Sequence, residues 1–304
     1  MNTHNDIDFF LDTSYFLYYT IFGAYSAFKK NTHVTEGNDI DLLQYPEFID
    51  ILNHKFTSRF KFIYDGIILP TYEAFDINPE YVDSQNVIAA FDCAKNKIWR
   101  IEKHNSYKLQ RRVEQPKPFD IGKVFEYVCS TLLKSDYVVN ESGSRLNLIK
   151  VRSSKCEGDD IIATLFKHSN STVKVIIAND HDYIQLLENS NSTLLVNLNG
   201  ERITLETVHG GAFDSKEKYL MFKLLFGDSA DNIPHILPGF GIKKCIKFAN
   251  NSSDVIRLIK ENAEAAKQLK INSELIDMRK IPTEIQQQIL DDYSEVKSQC
   301  LISC

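Results

Sequence analysis

The sequence predicts an α/β protein, with a mainly parallel central sheet flanked by helices and a helical C-terminal half. Three observations lead there. Short apolar runs recur at residues 7–11, 86–91 and 173–178, and each is followed within two residues by an acid. Segments of helical periodicity separate them, the alternation that builds parallel strands joined by crossover helices. After about residue 213 the strand signals stop and helical periodicity alone continues.

The elements follow in order. Residues 7–11 (Ile-Asp-Phe-Phe-Leu) read as a short buried strand ending at Asp12. An aromatic helix over about 15–28 comes next, with Thr13 and Ser14 as cap candidates. Residues 30–46 are polar, with Gly37 and Pro46, and read as a loop or small insertion. Helical periodicity covers 47–62, and a second buried strand over 86–91 ends at Asp92. A basic tract at 95–117 has weak periodicity and closes on Pro116 and Pro118. An amphipathic helix at 119–133, a strand closing at Val151 and a helix at 157–168 come next. The third apolar strand, 173–178, leads to Asp180 and Asp182, with a helix at 183–188 behind it. Helices are then expected at 213–226, 242–250, 254–269 and 283–298. There is no internal repeat or low-complexity stretch.

Composition narrows the class. At 304 residues, 43% hydrophobic and 25% charged, the chain can bury a sizeable core, which excludes disordered, collagen-like and coiled-coil readings. No apolar run reaches the roughly 18–20 residues of a membrane span. The beginning, MNTHNDID, has no basic segment or small-residue cleavage site, so no secretory signal is expected. Six cysteines (Cys93, Cys129, Cys156, Cys245, Cys300, Cys304) lack metal-site spacing and suggest the reduced thiols of an intracellular protein.

The formal charge of −6 hides segregation. Residues 95–117 carry eight cations against two acids, and residues 242–270 carry seven against three. Such tracts attract phosphate locally, although solvated helix faces share the pattern. In the first tract Trp99, Arg100, Tyr107, Lys108, Arg111 and Arg112 interleave aromatics with cations, the composition of a single-strand channel in which Trp99 or Tyr107 stacks on an unpaired base. In the second, Gly239 and Gly241 permit a tight turn before a helix beginning at Ile242. Lys243 and Lys244 lie in its first turn, which makes that helix start a phosphate-site candidate, although a plain glycine-containing helix–helix connection shares the Gly-x-Gly pattern.

The acids are the most informative pattern. Asp12, Asp92 and the pair Asp180/Asp182 follow apolar strands, and in a parallel sheet those carboxyl ends share one edge, the usual ligand crevice. Glu157, Asp159 and Asp160 sit at a helix start, and Asp228 and Asp231 lie in Gly-Asp-Ser-Ala-Asp-Asn. One such acid is ordinarily a cap or loop residue. Nine in one crevice would repel and raise one another's pKa unless compensated. Hard divalent cations suit all-oxygen ligands, and two ions about 3.5–4 Å apart could clamp the attacking and leaving oxygens of a phosphodiester.

Taken in order, these motifs resemble the structure-specific 5′ nuclease family of flap endonucleases, the 5′-nuclease domain of bacterial DNA polymerase I and phage 5′ exonucleases. Phe91-Asp92-Cys-Ala-Lys…Trp99-Arg100…Tyr107-Lys108…Arg111 is similar to the family's FD-x-x…FR…YK-x-x-R segment. Glu157-Gly-Asp159-Asp160 resembles E-A-D-D, and Asp180-His-Asp182-Tyr-Ile-Gln185-Leu-Leu resembles D-x-D-x-x-Q-L-L. Gly227-Asp228-Ser-Ala-Asp231-Asn-Ile-Pro, running into Pro238-Gly239-Phe-Gly241, resembles G-D-x-x-D-N-x-P followed by the helix–turn–helix G-x-G. The likeness covers about residues 7–250. The segment 275–282, the chain length and Lys95-x-x-x-Trp99-Arg100 look most like the T-even phage ribonuclease H branch. Cys93 stands where the family has a small residue, residues 30–85 are longer than the bacterial pattern, and Asn179 and His181 read as tolerated variants.

The resemblance implies a PIN-like nuclease core over 1–212, with a basic arch or clamp at about 95–135. A helix–turn–helix duplex-binding half would cover 213–304. It implies one metal group of Asp12, Asp92, Glu157, Asp159 and Asp160, and a second of Asp180, Asp182 and Asp228 with Asp231 close by. Two Mg²⁺ ions would be held, with Mn²⁺ as a substitute, and K⁺ would bind at the Gly239–Gly241 turn. Lys108 and Arg100 would contact the scissile phosphate, and Tyr107, Arg111, Arg112, Lys243 and Lys244 would touch nucleic acid. The implied activity is 5′-3′ exonuclease and flap endonuclease on DNA and RNA–DNA duplexes, removing RNA primers or 5′ flaps during replication. The enzyme would be a monomer with no membrane partner, in the host cytoplasm if phage-encoded. A sliding clamp and a single-strand-binding protein are expected partners from the family alone. Gln287-x-x-Leu290-x-x-Tyr293 faintly suggests a clamp-binding peptide, but core packing explains it better. A non-catalytic nucleic-acid-binding factor on the same fold and a PIN-type ribonuclease are the alternatives.

Overall fold

The computed structural model describes residues 7–32, 40–77, 84–94, 97–112, 117–135, 137–139, 145–188 and 192–302. Among these residues six strands, β1 (Ile7–Asp12), β2 (Ser84–Phe91), β3 (Tyr137–Val139), β4 (Arg145–Arg152), β5 (Val173–Ile177) and β6 (Thr193–Val196), form one sheet in the order β3-β4-β2-β1-β5-β6. Their pairings are parallel except that of the edge strand β3 with β4, which is antiparallel. The apolar runs are continuous because both faces are covered. Phe9, Leu11, Val87 and Val175 face one core layer, while Phe10, Ile88, Ala90 and Ile176 face the other. The strands β3 and β6 add to those expected; they are short, three and four residues long.

The first layer is built on α1 (Thr13–Asn31) and α2 (Pro46–Ile63). Asp12 itself caps α1, rather than Thr13 or Ser14: its backbone is still extended, and its Oδ1 accepts the Tyr15 amide at 2.9 Å. The helix expected to end at 62 continues through a π turn (Tyr64–Ile68) into α3 (Leu69–Ala74). That turn lies just ahead of Pro70, which lacks the N–H of a regular helical turn. The predicted helix 119–133 is α6 (Ile121–Tyr127) followed by a second π turn, Val128–Leu132. Between these parts come the short α4 (Trp99–Lys103) and α5 (Leu109–Arg112).

The second layer holds α7 (Gly158–His168), α8 (Lys216–Phe226), α9 (Ile242–Ala249) and α12 (Thr283–Ile302). A 3₁₀ turn, His181–Leu186, replaces the helix expected at 183–188. The helix expected at 254–269 is in fact two, α10 (Ser252–Glu261) and α11 (Ala263–Ile276). Asn262 interrupts them, leaving helical dihedrals and accepting the Ala265 amide as the new N-cap. One apolar cluster runs from Phe10, Phe166 and Ile176 to Phe213, Phe222, Ile285 and Ile289, so packing is continuous across residue 213. Leu290 and Tyr293 pack against the same cluster. No helix among the described residues is long and apolar enough to cross a membrane. Cys93, Cys129, Cys156 and Cys245 are free.

Candidate active site

Parallel pairing brings the ends of β1, β2 and β5 to one edge, and the predicted acids gather there. Asp12 ends β1 and receives a long hydrogen bond from the Tyr183 hydroxyl at 3.4 Å. Asp92, just past β2, accepts the Ser14 hydroxyl at 2.6 Å and the Gly158 amide at 2.7 Å, joining the starts of α1 and α7. Asp180 caps the 3₁₀ turn by accepting the Asp182 amide at 2.8 Å. An open hollow of about 440 Å³ lies over this edge, lined by Asp12, Tyr15, Asn179, Asp180, His181 and Lys223.

The charge density shows in the titration of the acids. Burial, together with the carboxylates of Asp92 and Asp180, pushes Asp12 up to about 7 against the opposing Tyr15 amide. Burial and the Asp180 carboxylate likewise push Asp182 up to about 7, with Lys223 opposing. Burial raises Asp159 well above the usual carboxylate range despite Arg100, and Asp160 adds to the rise. Glu157 moves the other way, because Lys108 and Arg100 together outweigh its burial.

Two predicted residues take other places. Arg100 was expected at the scissile phosphate, but its side chain is only 3% exposed and committed to protein partners. Its Nη2 lies 2.8 Å from Asp160 Oδ1, Nη1 donates to Asp160 Oδ2 at 2.9 Å and to Glu157 Oε2 at 3.3 Å, and Nε donates to the Leu275 carbonyl. Asp160 is fully buried between Arg100 and the Trp99 indole N–H, and it also accepts the Glu157 amide. It therefore braces the start of α7 instead of facing the crevice.

The described part of the basic tract lies down against the helical half. Ile98, Ile101 and Tyr107 are buried with Leu220, Leu224, Ile233, Leu275 and Ile276. Trp99 and Tyr107 are thus core residues, not the exposed platforms expected for base stacking. Lys108, 19% exposed, contacts Glu157 and lies 3.6 Å from Asp231, while the half-exposed Arg111 pairs with Asp231 at 3.0 Å. Burial opposes the Lys108 charge, but Glu157 and Asp231 raise its pKa on balance. The Arg112 side chain and Lys95 lie outside the described residues.

Sequence reasoning missed Lys223. Its Nζ stands 2.9 Å from Asp182 Oδ1 and 3.3 Å from Asp228 Oδ2. A single lysine in an amphipathic helix has no motif to mark it. Ser14 and Tyr183, which orient Asp92 and Asp12, were missed for the same reason.

The donor set fits divalent cations. Every candidate ligand is a carboxylate oxygen, the chemistry hard cations prefer. The buried Asp182 Oδ1 and Asp231 Oδ1 touch cations without an aligned hydrogen bond. Among the described residues no group of three or more such side chains is arranged to hold an ion as it stands.

The loop of Asp228 and Asp231 is fixed by Gly227, at φ +70°. A Cβ there would lie 2.4 Å from the carbonyl oxygens of Ile233 and Pro234, so no other residue fits. Further on, Gly239 (φ +78°) turns the chain and Gly241 caps α9. Lys243 and Lys244 lie exposed in the first turn of α9, with Lys244 Nζ 3.8 Å from the centre of the Phe240 ring.

Residues 71–214 match the family described as 5′-3′ exonuclease, N-terminal resolvase-like domain. Over 180 residues the chain is 29% identical to the thermostable DNA polymerase I of Thermus filiformis, covering 59% of this chain and 19% of the polymerase. It is 28% identical over 177 residues to a 5′-3′ exonuclease of Streptomyces coelicolor, covering 56% of this chain and 57% of the relative. The chain thus spans about a fifth of the first relative and little more than half of the second. The fold is similar throughout to the crystal structure of the T5 D15 protein co-crystallised with metal ions. That match has a TM-score of 0.57 at 15% identity and covers 96% of this chain and 99% of the other.

Proposed function

We propose that this chain is a divalent-metal-dependent 5′-3′ exonuclease and flap endonuclease. It would hydrolyse phosphodiesters in DNA and RNA–DNA duplexes that carry 5′ single strands or flaps. The observation that carries the reading is the meeting of Asp12, Asp92 and Asp180 at one sheet edge, where parallel strands β1, β2 and β5 end side by side. The match of residues 71–214 to a 5′-3′ exonuclease domain family supports the same chemistry.

Asp12, Asp92, Asp180, Asp182 and Asp228 would hold the ions, with Glu157, Asp159 and Asp231 beside them, and Mg²⁺ or Mn²⁺ fits their oxygen donors. When bound, such ions polarise phosphodiester oxygens and make water a better nucleophile. The protein's own part is positioning and charge balance. Lys108 and Arg111 place cations at the rim, where negative charge grows on the phosphoryl group. Arg100 and Asp160 keep Glu157 in place behind them. The Gly239–Gly241 turn, with Lys243 and Lys244, would grip duplex phosphates at the α9 N-terminus and hold K⁺ through its carbonyls. Removal of RNA primers or flaps by a monomer working beside a sliding clamp and a single-strand-binding protein, as in the ribonuclease H branch, belongs to the same proposal.

A 5′-labelled flap substrate with Mg²⁺ or with EDTA tests the reading. Cleavage that requires Mg²⁺ is expected. Tight binding without cleavage would make the chain a binding factor, and cleavage of RNA alone would make it a PIN-type ribonuclease.

A further inference from the structure

Lys223 sits near the C-terminal end of α8 and reaches back over the acids of the second group. Asp182 follows β5 and Asp228 follows α8, yet the one ammonium touches both, at 2.9 and 3.3 Å. The side chain is 16% exposed, and it also forms part of the wall of the hollow beside Asp12 and Asp180. Packing does not require it there. α8 is held by Tyr219, Leu220, Phe222, Leu224 and Leu225, all buried. A charge in that position is sustained by its counter-charges, since an ammonium taken from water is costly unless paired.

The other acid group is compensated differently. Glu157 has Arg100, Lys108 and the Tyr107 hydroxyl, so losing one partner leaves two. Among the described residues, Lys223 is the cation paired with Asp182 and Asp228.

We propose that Lys223 is a resident counter-ion. Its ammonium holds Asp182 and Asp228 together before a divalent ion arrives, competes with that ion for the same two carboxylates, and leaves them when the ion binds. This rests on the metal-dependent reading above. A site occupied by its own cation must break those contacts to accept another, so the contacts subtract from the affinity for the incoming ion. Lys223 thereby sets the ion concentration at which the second group fills.

The test is Mn²⁺ binding, read by the electron paramagnetic resonance signal of the free ion, to wild-type protein and to Lys223→Met, Lys223→Gln and Lys223→Arg. Melting temperatures in EDTA and in saturating Mn²⁺ are measured beside it. Both neutral variants should bind one class of Mn²⁺ at least about threefold more tightly, the direction like-charge repulsion dictates. They should melt lower than wild type in EDTA and regain most of that loss in Mn²⁺. Lys223→Arg, which keeps the charge, should stay near wild type. Unchanged or weaker Mn²⁺ binding by the neutral variants, with normal binding by wild type, overturns the counter-ion role and leaves the metal reading standing. Absence of Mn²⁺ binding by wild type overturns both.

Discussion

The Asp92 carboxylate accepts the Gly158 backbone amide at 2.7 Å, tying the end of β2 to the first turn of α7. The fold and the site therefore share atoms. A residue expected to hold an ion also fixes the approach of a helix, and the variants below separate the two roles.

Asp180→Asn keeps the shape of the cap and removes one charge from the sheet edge. Cleavage of a flap substrate in Mg²⁺ should fall at least about 10³-fold. Flap-DNA binding, followed by fluorescence anisotropy, should stay within a few fold. Undiminished hydrolysis would remove Asp180 from the site.

Lys108 and Arg100 should fail in different ways. Lys108→Met leaves Glu157 with Arg100 and Tyr107, so turnover should fall by about 10²–10³-fold while the melting temperature changes little. Arg100→Met strands Asp160 and Glu157 in the interior and should cost about 3–5 kcal/mol in denaturant unfolding. A stable Arg100→Met protein with lost activity would return Arg100 to the substrate.

Two glycine substitutions test the backbone. Gly227→Ala meets two carbonyl oxygens at 2.4 Å and a left-handed φ, and should destabilise by roughly 3 kcal/mol or more. Gly241→Ala meets nothing within 4 Å, and its loss should stay near the ~0.5–1 kcal/mol of a poorer helix cap. Chemical denaturation of both variants gives the comparison.

Without divalent ions, stability should depend on pH in an unusual direction. Asp12, facing Asp92, Asp180 and Tyr183, and Asp182, facing Asp180, Lys223 and Asp228, both rise from 3.8 to about 7. Between about pH 4 and 7 the folded chain then binds more protons than the unfolded chain, so this contribution to stability falls as pH rises. The melting temperature in EDTA should drop across that interval more steeply than in Asp12→Asn or Asp182→Asn. Mg²⁺ should flatten the slope. A flat wild-type profile in EDTA would contradict the shifts.

What the sequence made legible follows from distance along the chain. Asp12, Asp92 and Asp180 could be placed together because each ends an apolar run, and parallel strands must finish on one edge. Arg100 was misplaced because its positive charge was visible in the sequence but its burial was not. The carboxylates that hold it lie 57–60 residues away, and the Leu275 carbonyl lies 175 away. Trp99 and Tyr107 were misread for the same reason: an aromatic beside a cation looks alike in a binding groove and under a helix. The break at Asn262 was written in a good capping residue, but periodicity on either side concealed it.

The bond from Arg100 to the Leu275 carbonyl, like that from Gln185 to the Ile276 carbonyl and that from the Met278 amide to Gln185, draws the late helices into the floor beneath the acids. A fragment trimmed to the first two thirds of the chain would keep the six described strands and seven of the nine predicted acids, yet lose the lid over its own buried guanidinium. Modular exchange of the last ninety residues between relatives is therefore no simple swap of a binding attachment, because the donor must also supply a carbonyl at that spot.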